Sequence, residues 1–236
     1  NTATPTQFAF THDRTAPTVS SIAVTGVTSG SYGTASTYTV IVTASEALEN
    51  QPTLGLAGGT AGDGSGSGGG SATIWTYTFT PSSADQAVTI DVAIGSITDA
   101  AGNDNTAAAT QFAFTHDATA PTATIASTEV TTGGSLNEAV TFTVTFSEEM
   151  TGIADGDFTV GDSRCTLSGY EVTTANTVFT QICGGNGLTD GETITLSVGA
   201  VGTDAAGNSN TAATDFTWTY DTTVPTVVIT SGDVST

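Results

Sequence analysis

The chain writes one passage three times. Residues 99–122 read DAAGNDNTAAATQFAFTHDATAPT, and residues 204–226 read DAAGNSNTAATDFTWTYDTTVPT. Residues 1–18, NTATPTQFAFTHDRTAPT, repeat the second half of it. Asn1, Asn105 and Asn210 are equivalent, so the period is 104 and then 105 residues. Small solenoid units recur every 20–50 residues or so; a period twice that length marks whole domains in tandem. Each unit must therefore bury a core of its own within ordinary domain size.

The repeat phase sets the expected boundaries. Residues 1–13 match the last strand of a preceding repeat, 14–120 form one full unit, 121–224 form a second, and 225–236 match the first strand of a following one. This reads as a window on a longer, soluble polypeptide. The rival reading is a subunit that lends a terminal strand to its neighbour. The chain contains no signal-like apolar core and no run of 18 apolar residues, so any targeting segment is expected outside the window.

Alternation dominates each unit. TYTVIVTAS (37–45) puts Tyr38, Val40 and Val42 on one face, and its counterpart AVTFTVTFS (139–147) does the same with Val140, Phe142, Val144 and Phe146. TIWTYTFT (73–80), AVTIDVAIG (87–95), TVFTQI (177–182) and ETITLSVGA (192–200) alternate too. Period-2 patterning in Thr- and Val-rich segments, punctuated by Gly-rich turns, predicts seven short strands per unit and an all-β, antiparallel β-sandwich. In the first unit the strands are expected near 19–25, 37–44, 53–57, within 58–72, and at 73–80, 87–94 and 109–116. The stretch GGTAGDGSGSGGG (58–70) reads as a flexible insertion. The second unit lacks it and carries Cys165 and Cys183 in that region. Two cysteines in one Lys-free, Thr-rich domain point to a disulfide formed outside the cytoplasm; the alternative is a pair of buried thiols.

Charge narrows the partners. Lys is absent, and Arg14 and Arg164 face 23 acids, for a net charge of −21. Nucleic acid and anionic membrane surfaces both require basic residues and are excluded as partners. A chain 37% hydrophobic with strong strand patterning is not an acidic disordered tail, so solvent or bound cations must relieve its self-repulsion. The absence of Lys also excludes Lys–Asn isopeptide cross-links.

Topology gathers some of these acids. In a seven-stranded sandwich the incoming linker, the second-to-third strand connection and the last hairpin loop meet at one pole. Each carries an acid in both units: Asp13, Glu46 and Asp99, with Asn103 nearby, and Asp117, Glu148 (or Glu149) and Asp204, with Asn208. Asp221 opens the corresponding set for a next unit. Three carboxylates packed together raise one another's pKa values, and a hard divalent ion removes that penalty. Ca²⁺ takes six to eight oxygens in loose geometry, whereas Mg²⁺ demands a strict octahedron, so Ca²⁺ is the expected structural ion. Asp85 and Asp190, each 14 residues before the DAAGN aspartate, lie on turns at the opposite pole and are weaker candidates for an adjoining joint. The competing reading is local: Asp, Gly and Asn are also ordinary turn residues.

The D-x-T-x-P linkers (Asp13–Pro17, Asp117–Pro121, Asp221–Pro225), the VTFSE strand end (144–148), the DAAGN loops (99–103, 204–208) and FSEEMTGIADGDFTV (146–160) together resemble the bacterial immunoglobulin-like repeats of large surface adhesins and extracellular fibres. The resemblance spans nearly the whole chain. It implies tandem Ig-like sandwiches arranged end to end, an extracellular or cell-surface setting, and stalks stiffened by Ca²⁺ at their joints. The first unit departs from the pattern after Glu46, where it lacks the D-x-D-F segment.

Other sites carry less. His12 and His116 sit in matching THD triplets, but the third copy has Tyr220, which fits aromatic packing better than metal binding or catalysis. No nucleophile elbow or phosphate loop is present, and Asp155 and Asp157 flank a turn glycine rather than a cleft, so no enzymatic activity is expected. Trp75, Tyr77, Tyr38, Trp218 and Tyr220 either stack on sugars or fill the core, with core expected for Trp218. Three functions follow: a stalk segment, a fibre subunit assembled from other copies by strand donation or lateral contacts, and a carbohydrate- or surface-binding module. Adjacent repeats of the same chain are the partners expected first, and a glycan ligand has no specific residue behind it.

Overall fold

Strand-forming residues organise the chain into two units, Asn1–Thr119 and Ala120–Thr236. A computed structural model describes residues 7–66, 72–161, 164–185 and 187–230. Each unit is two stacked β-sheets, and the only helical segment among the described residues is a single 3-10 turn at Asp155–Asp157. Among the described residues no helix is long and apolar enough to cross a membrane.

Among its described residues the first domain has nine strands: β1 (Val19–Val24), β2 (Tyr32–Gly33), β3 (Tyr38–Leu48), β4 (Leu54–Ala57), β5 (Gly59–Ala61), β6 (Ser65–Gly66), β7 (Ala72–Pro81), β8 (Asp85–Val92) and β9 (Phe112–Asp117). One sheet runs β1-β3-β7-β5, with β6 also on β7; the other runs β2-β9-β8-β4. Alternation along β3 and β7 sends Val40, Val42, Trp75, Tyr77 and Phe79 inward, where they meet Val88, Ile90 and Phe114 of the second sheet. Tyr38, Trp75 and Tyr77 are therefore core rather than sugar platforms.

The second domain has β10 (Ala123–Ser127), β11 (Gly134–Leu136), β12 (Val140–Phe146), β13 (Phe158–Val160), β14 (Cys165–Thr174), β15 (Val178–Gly185), β16 (Glu192–Val198) and β17 (Phe216–Tyr220). Its sheets run β10-β12-β15-β14 and β11-β17-β16-β13. Trp218 is fully buried against Phe142, their ring centroids 5.2 Å apart.

The structure adds elements that alternation does not show. β2 and β11 are too short for a pattern, yet each pairs parallel to the last strand of its domain. The Gly-rich insertion is not simply a linker: β5 and β6 pair with β7 through backbone bonds, which glycine permits, while 67–71 lie outside the described residues. The expected terminal strands are not formed where they are described. Residues 7–12 and 225–230 have no strand, and Phe8, Phe10, Val227 and Ile229 are exposed; 1–6 and 231–236 lie outside the described residues. Cys165 and Cys183 form a disulfide between neighbouring strands β14 and β15, with Cα atoms 5.5 Å apart. The two free thiols of the alternative reading are thus absent.

Candidate metal centre at the domain pole

The pole of the first domain is built by three short local devices. The linker enters through Asp13, whose carboxylate accepts the Thr15 amide at 2.9 Å, an Asx turn that fixes the chain before Pro17. It is then pinned to β3. The Thr18 amide donates to the Ser45 hydroxyl at 2.9 Å, and the Ser45 amide donates back to the Thr18 carbonyl at 2.8 Å. Glu46 is the next residue, so this clamp decides where its carboxylate stands.

The third acid sits in the loop between β8 and β9. Asp99 is 3% exposed and folds the loop around itself. One carboxylate oxygen accepts the amides of Ala101 (2.9 Å) and Asn103 (2.8 Å); the other accepts the Asn103 side-chain nitrogen at 2.8 Å. Gly102, with φ of 86°, makes the left-handed step that turns these amides inward. Asn103 and Asn208, expected as oxygen donors to an ion, donate their side-chain nitrogens to Asp99 and Asp204.

These devices converge. Asp13, Glu46 and Asp99 each offer a carboxylate oxygen, all within 4.8 Å of one another. The electrostatics follow from the geometry. Hydrogen bonds from Asn103, first its side chain and then its amide, hold the Asp99 carboxyl below the usual aspartate range. Desolvation, and then the charges of Asp13 and Asp99, push Glu46 above the usual glutamate range. The pole thus holds one strongly ionised carboxylate and one whose charge is disfavoured. An all-oxygen donor set with excess negative charge matches a hard divalent ion.

The second domain rebuilds the same devices. Asp204 accepts the amides of Ala206, Gly207 and Asn208 at 2.7–2.9 Å and the Asn208 side chain at 2.9 Å. The Thr122 amide donates to the Ser147 hydroxyl at 3.0 Å, one residue before Glu148. Glu149, the alternative to Glu148, accepts the Asn176 side-chain nitrogen at 3.4 Å. Asp117, expected with Glu148 and Asp204, ends β9 of the first unit and accepts the Thr119 amide. Asp221 accepts the Thr223 amide at 2.9 Å.

Asp85 and Asp190 hold linkers through hydrogen bonds. Asp85 pairs in register with Asp117 and accepts the Thr119 hydroxyl at 2.7 Å, the main cause of its lowered pKa. Asp190 accepts the Thr222 amide and the hydroxyls of Thr222 and Thr223, with the amide contributing most to its lowered pKa. His116 is buried, and its Nδ1 lies 2.9 Å from the Tyr38 hydroxyl and 3.0 Å from the Gly33 carbonyl; His12 is exposed.

In the repeat Asn105 and Asn210 mark only the register, yet they lock the loops that carry Asp99 and Asp204. Asn105 accepts the amides of Ser96 and Ile97 and donates to the carbonyls of Ala93 and Ala107. Asn210 does the same with Val201, Gly202, Gly199 and Thr211. The signal was present: an asparagine six residues after each loop aspartate, in both units.

Residues 117–220 match the bacterial Ig-like domain family, a span that covers the second sandwich from end to end. The second domain is an Ig-like β-sandwich. The first is Ig-like by the same strand order. Among solved structures, the chain is similar to the adhesin InvE of Yersinia pseudotuberculosis, at 14% identity and a TM-score of 0.31, over 84% of this chain and 58% of that one. It is similar to an E-to-A mutated variant of titin domains I67–I69 at 8% identity and a TM-score of 0.38, over 86% and 65%. Surface layer protein SbsC, domains 4–9, matches at 16% identity and a TM-score of 0.23, over 88% and 32%. The chain thus spans less than two thirds of these structures. Likeness at this level says nothing about ligand or partner. No curated protein matches the chain.

Proposed function

We propose that this chain is a segment of an extracellular, adhesin-type stalk whose bacterial Ig-like domains bind Ca²⁺ where each linker enters its domain. One observation carries the reading: Asp13 of the linker stands with Glu46 and Asp99 of the domain, their ligand oxygens within 4.8 Å. An ion held by all three ties the linker to the pole and limits its swing. Pro17 stiffens the same segment. Repetition of the Asp99 and Ser45 devices around Asp204 and Ser147 supports the same role for the second domain's Glu148 and Asp204. The disulfide fits an oxidising compartment. The function is structural, with no reaction assigned.

The test is Ca²⁺ titration of the full chain, monitored by melting and by amide hydrogen exchange. Saturating Ca²⁺ at 100 times its dissociation constant stabilises a domain by about 2.7 kcal/mol. Amides of Thr15 and Thr18 gain protection, and Glu46→Gln removes both effects in the first domain. Identical melting and exchange in Ca²⁺ and in chelator defeat the proposal.

A further inference from the structure

We propose an interaction surface on the flank of the first domain: a cleft that takes a lysine side chain from a cationic partner protein. The cleft measures about 360 Å³. Leu54 and Leu56 of β4 line one side, Ala61, Gly62 and Asp63 line the other, and Tyr77 of β7 lies between them. It opens where the edges of the two sheets, β4 and the β5–β6 insertion, face each other.

The second domain fills the equivalent place from its own chain. Ser65 pairs with Thr76 where Glu171 pairs with Thr180, so the residues before them, Gly64 and Tyr170, correspond. The Tyr170 ring lies 6.0 Å from that of Phe158 and 6.1 Å from that of Phe179, and Phe158 is buried. Leu54 stands for Phe158 in the first domain, since they pair with Val92 and Val198 in turn. Gly64 brings no ring to cover it, because a Cβ there runs into the ring of Tyr77. The core behind is sealed, with Trp75, Tyr77 and Val92 buried, but Leu54 and Leu56 stay half-exposed outside it. A Cβ at Gly62 meets no atom within 4 Å, so the rim is open.

Charge selects the occupant. Apolar walls alone accept any aliphatic group, including one from a second copy of this chain. Each copy carries a net charge of −21 and no lysine, so copies repel. Asp63 is exposed at the rim with no ion pair among the described residues, and of the chain's two bases Arg164 is already held by Glu192. A lysine lays its aliphatic stem along Leu54, Leu56 and Ala61 and keeps its ammonium in water beside the Asp63 carboxylate. The net charge of the chain also draws a cationic partner in from a distance. This surface is independent of the pole and of any ion bound there.

The test is ¹H–¹⁵N NMR of the full chain in chelator, titrated with the peptide acetyl-Gly-Lys-Gly-amide and, as control, acetyl-Gly-Glu-Gly-amide. The lysine peptide shifts the amides of Leu54, Leu56, Gly62 and Asp63 together, and the glutamate peptide shifts none of them. Asp63→Asn weakens the response about threefold, the scale of one exposed ion pair. Gly62→Trp sets a ring across the open rim and abolishes it. Absence of local shifts at about 10 mM lysine peptide, the weak end of measurable binding, overturns the proposal. So does an equal response to the glutamate peptide, a response spread evenly over both domains, or one undiminished in either variant. Shifts of the same amides on concentrating the chain alone assign the cleft to a second copy and overturn it too.

Discussion

The two domains agree at the pole and differ along the flank. At the pole the match extends to single hydrogen bonds: Asp99 and Asp204 wrap the same loop, Asn105 and Asn210 lock it, and Ser45 and Ser147 clamp the incoming linker. On the flank, one domain has a Gly-rich insertion that adds β5 and β6 to β7. The other has the long strand β14, a disulfide and the D-G-D turn. Packing alone does not explain this division, because both flanks close a sandwich core well. Both poles receive a linker in the same way, through the Thr18 amide on Ser45 and the Thr122 amide on Ser147.

Each domain contains one tryptophan, Trp75 and Trp218, so single-tryptophan variants report the domains separately. Trp218→Phe is a mild change, since Phe114 occupies the equivalent place in the first domain. The largest effect is expected from Asn105→Ala and Asn210→Ala. Each removes four side-chain hydrogen bonds to the loop backbone and costs its own domain about 4 kcal/mol in chemical denaturation. If one substitution is silent, the poles are not equivalent.

Next comes reduction of the Cys165–Cys183 bridge, which spans 18 positions. It lowers the stability of the second domain by about 3 kcal/mol and leaves the Trp75 transition unmoved. Movement of both transitions breaks the comparison by showing the domains to be coupled. Tyr77→Phe follows. It removes the bond to the Pro52 carbonyl and costs the first domain roughly 1 kcal/mol, whereas Gln181→Met removes an orphan acceptor together with the bond to Asp155, two opposed effects that leave a net change within about 1 kcal/mol.

The smallest effect is pH dependence in chelator. Asp99, Asp85 and Asp190 have lowered pKa values, so their contribution is complete above the ordinary aspartate range and is lost as pH falls through their folded values. Glu46 is raised, so its contribution has the opposite sign: present in acid, lost as pH rises through its folded value. Glu46→Gln therefore removes a small loss of stability above the glutamate range in the first domain. Melting of the first domain across pH 3–7 (about four units, spanning the carboxylate range) checks this.

The sequence by itself determined the repeat, the alternating strands, the paired cysteines and the identity of the polar acids, because period, alternation and local turn chemistry are short-range properties written in residue order. It also placed Asp13, Glu46 and Asp99 at one pole, since strand direction in a sandwich follows from strand count. Tertiary structure alone decided the rest. β2, β5, β6 and β11 exist through pairing with longer strands, which supply the bonds that two- or three-residue segments cannot supply themselves. Asn103 faces its aspartate with nitrogen rather than oxygen because the wrapped loop needs a donor there. Gln181 is a buried polar residue only because β15 turns it inward, toward an acid pair more than twenty residues earlier in the chain. Such distances are set by which strands lie side by side, a long-range property that residue order alone does not express.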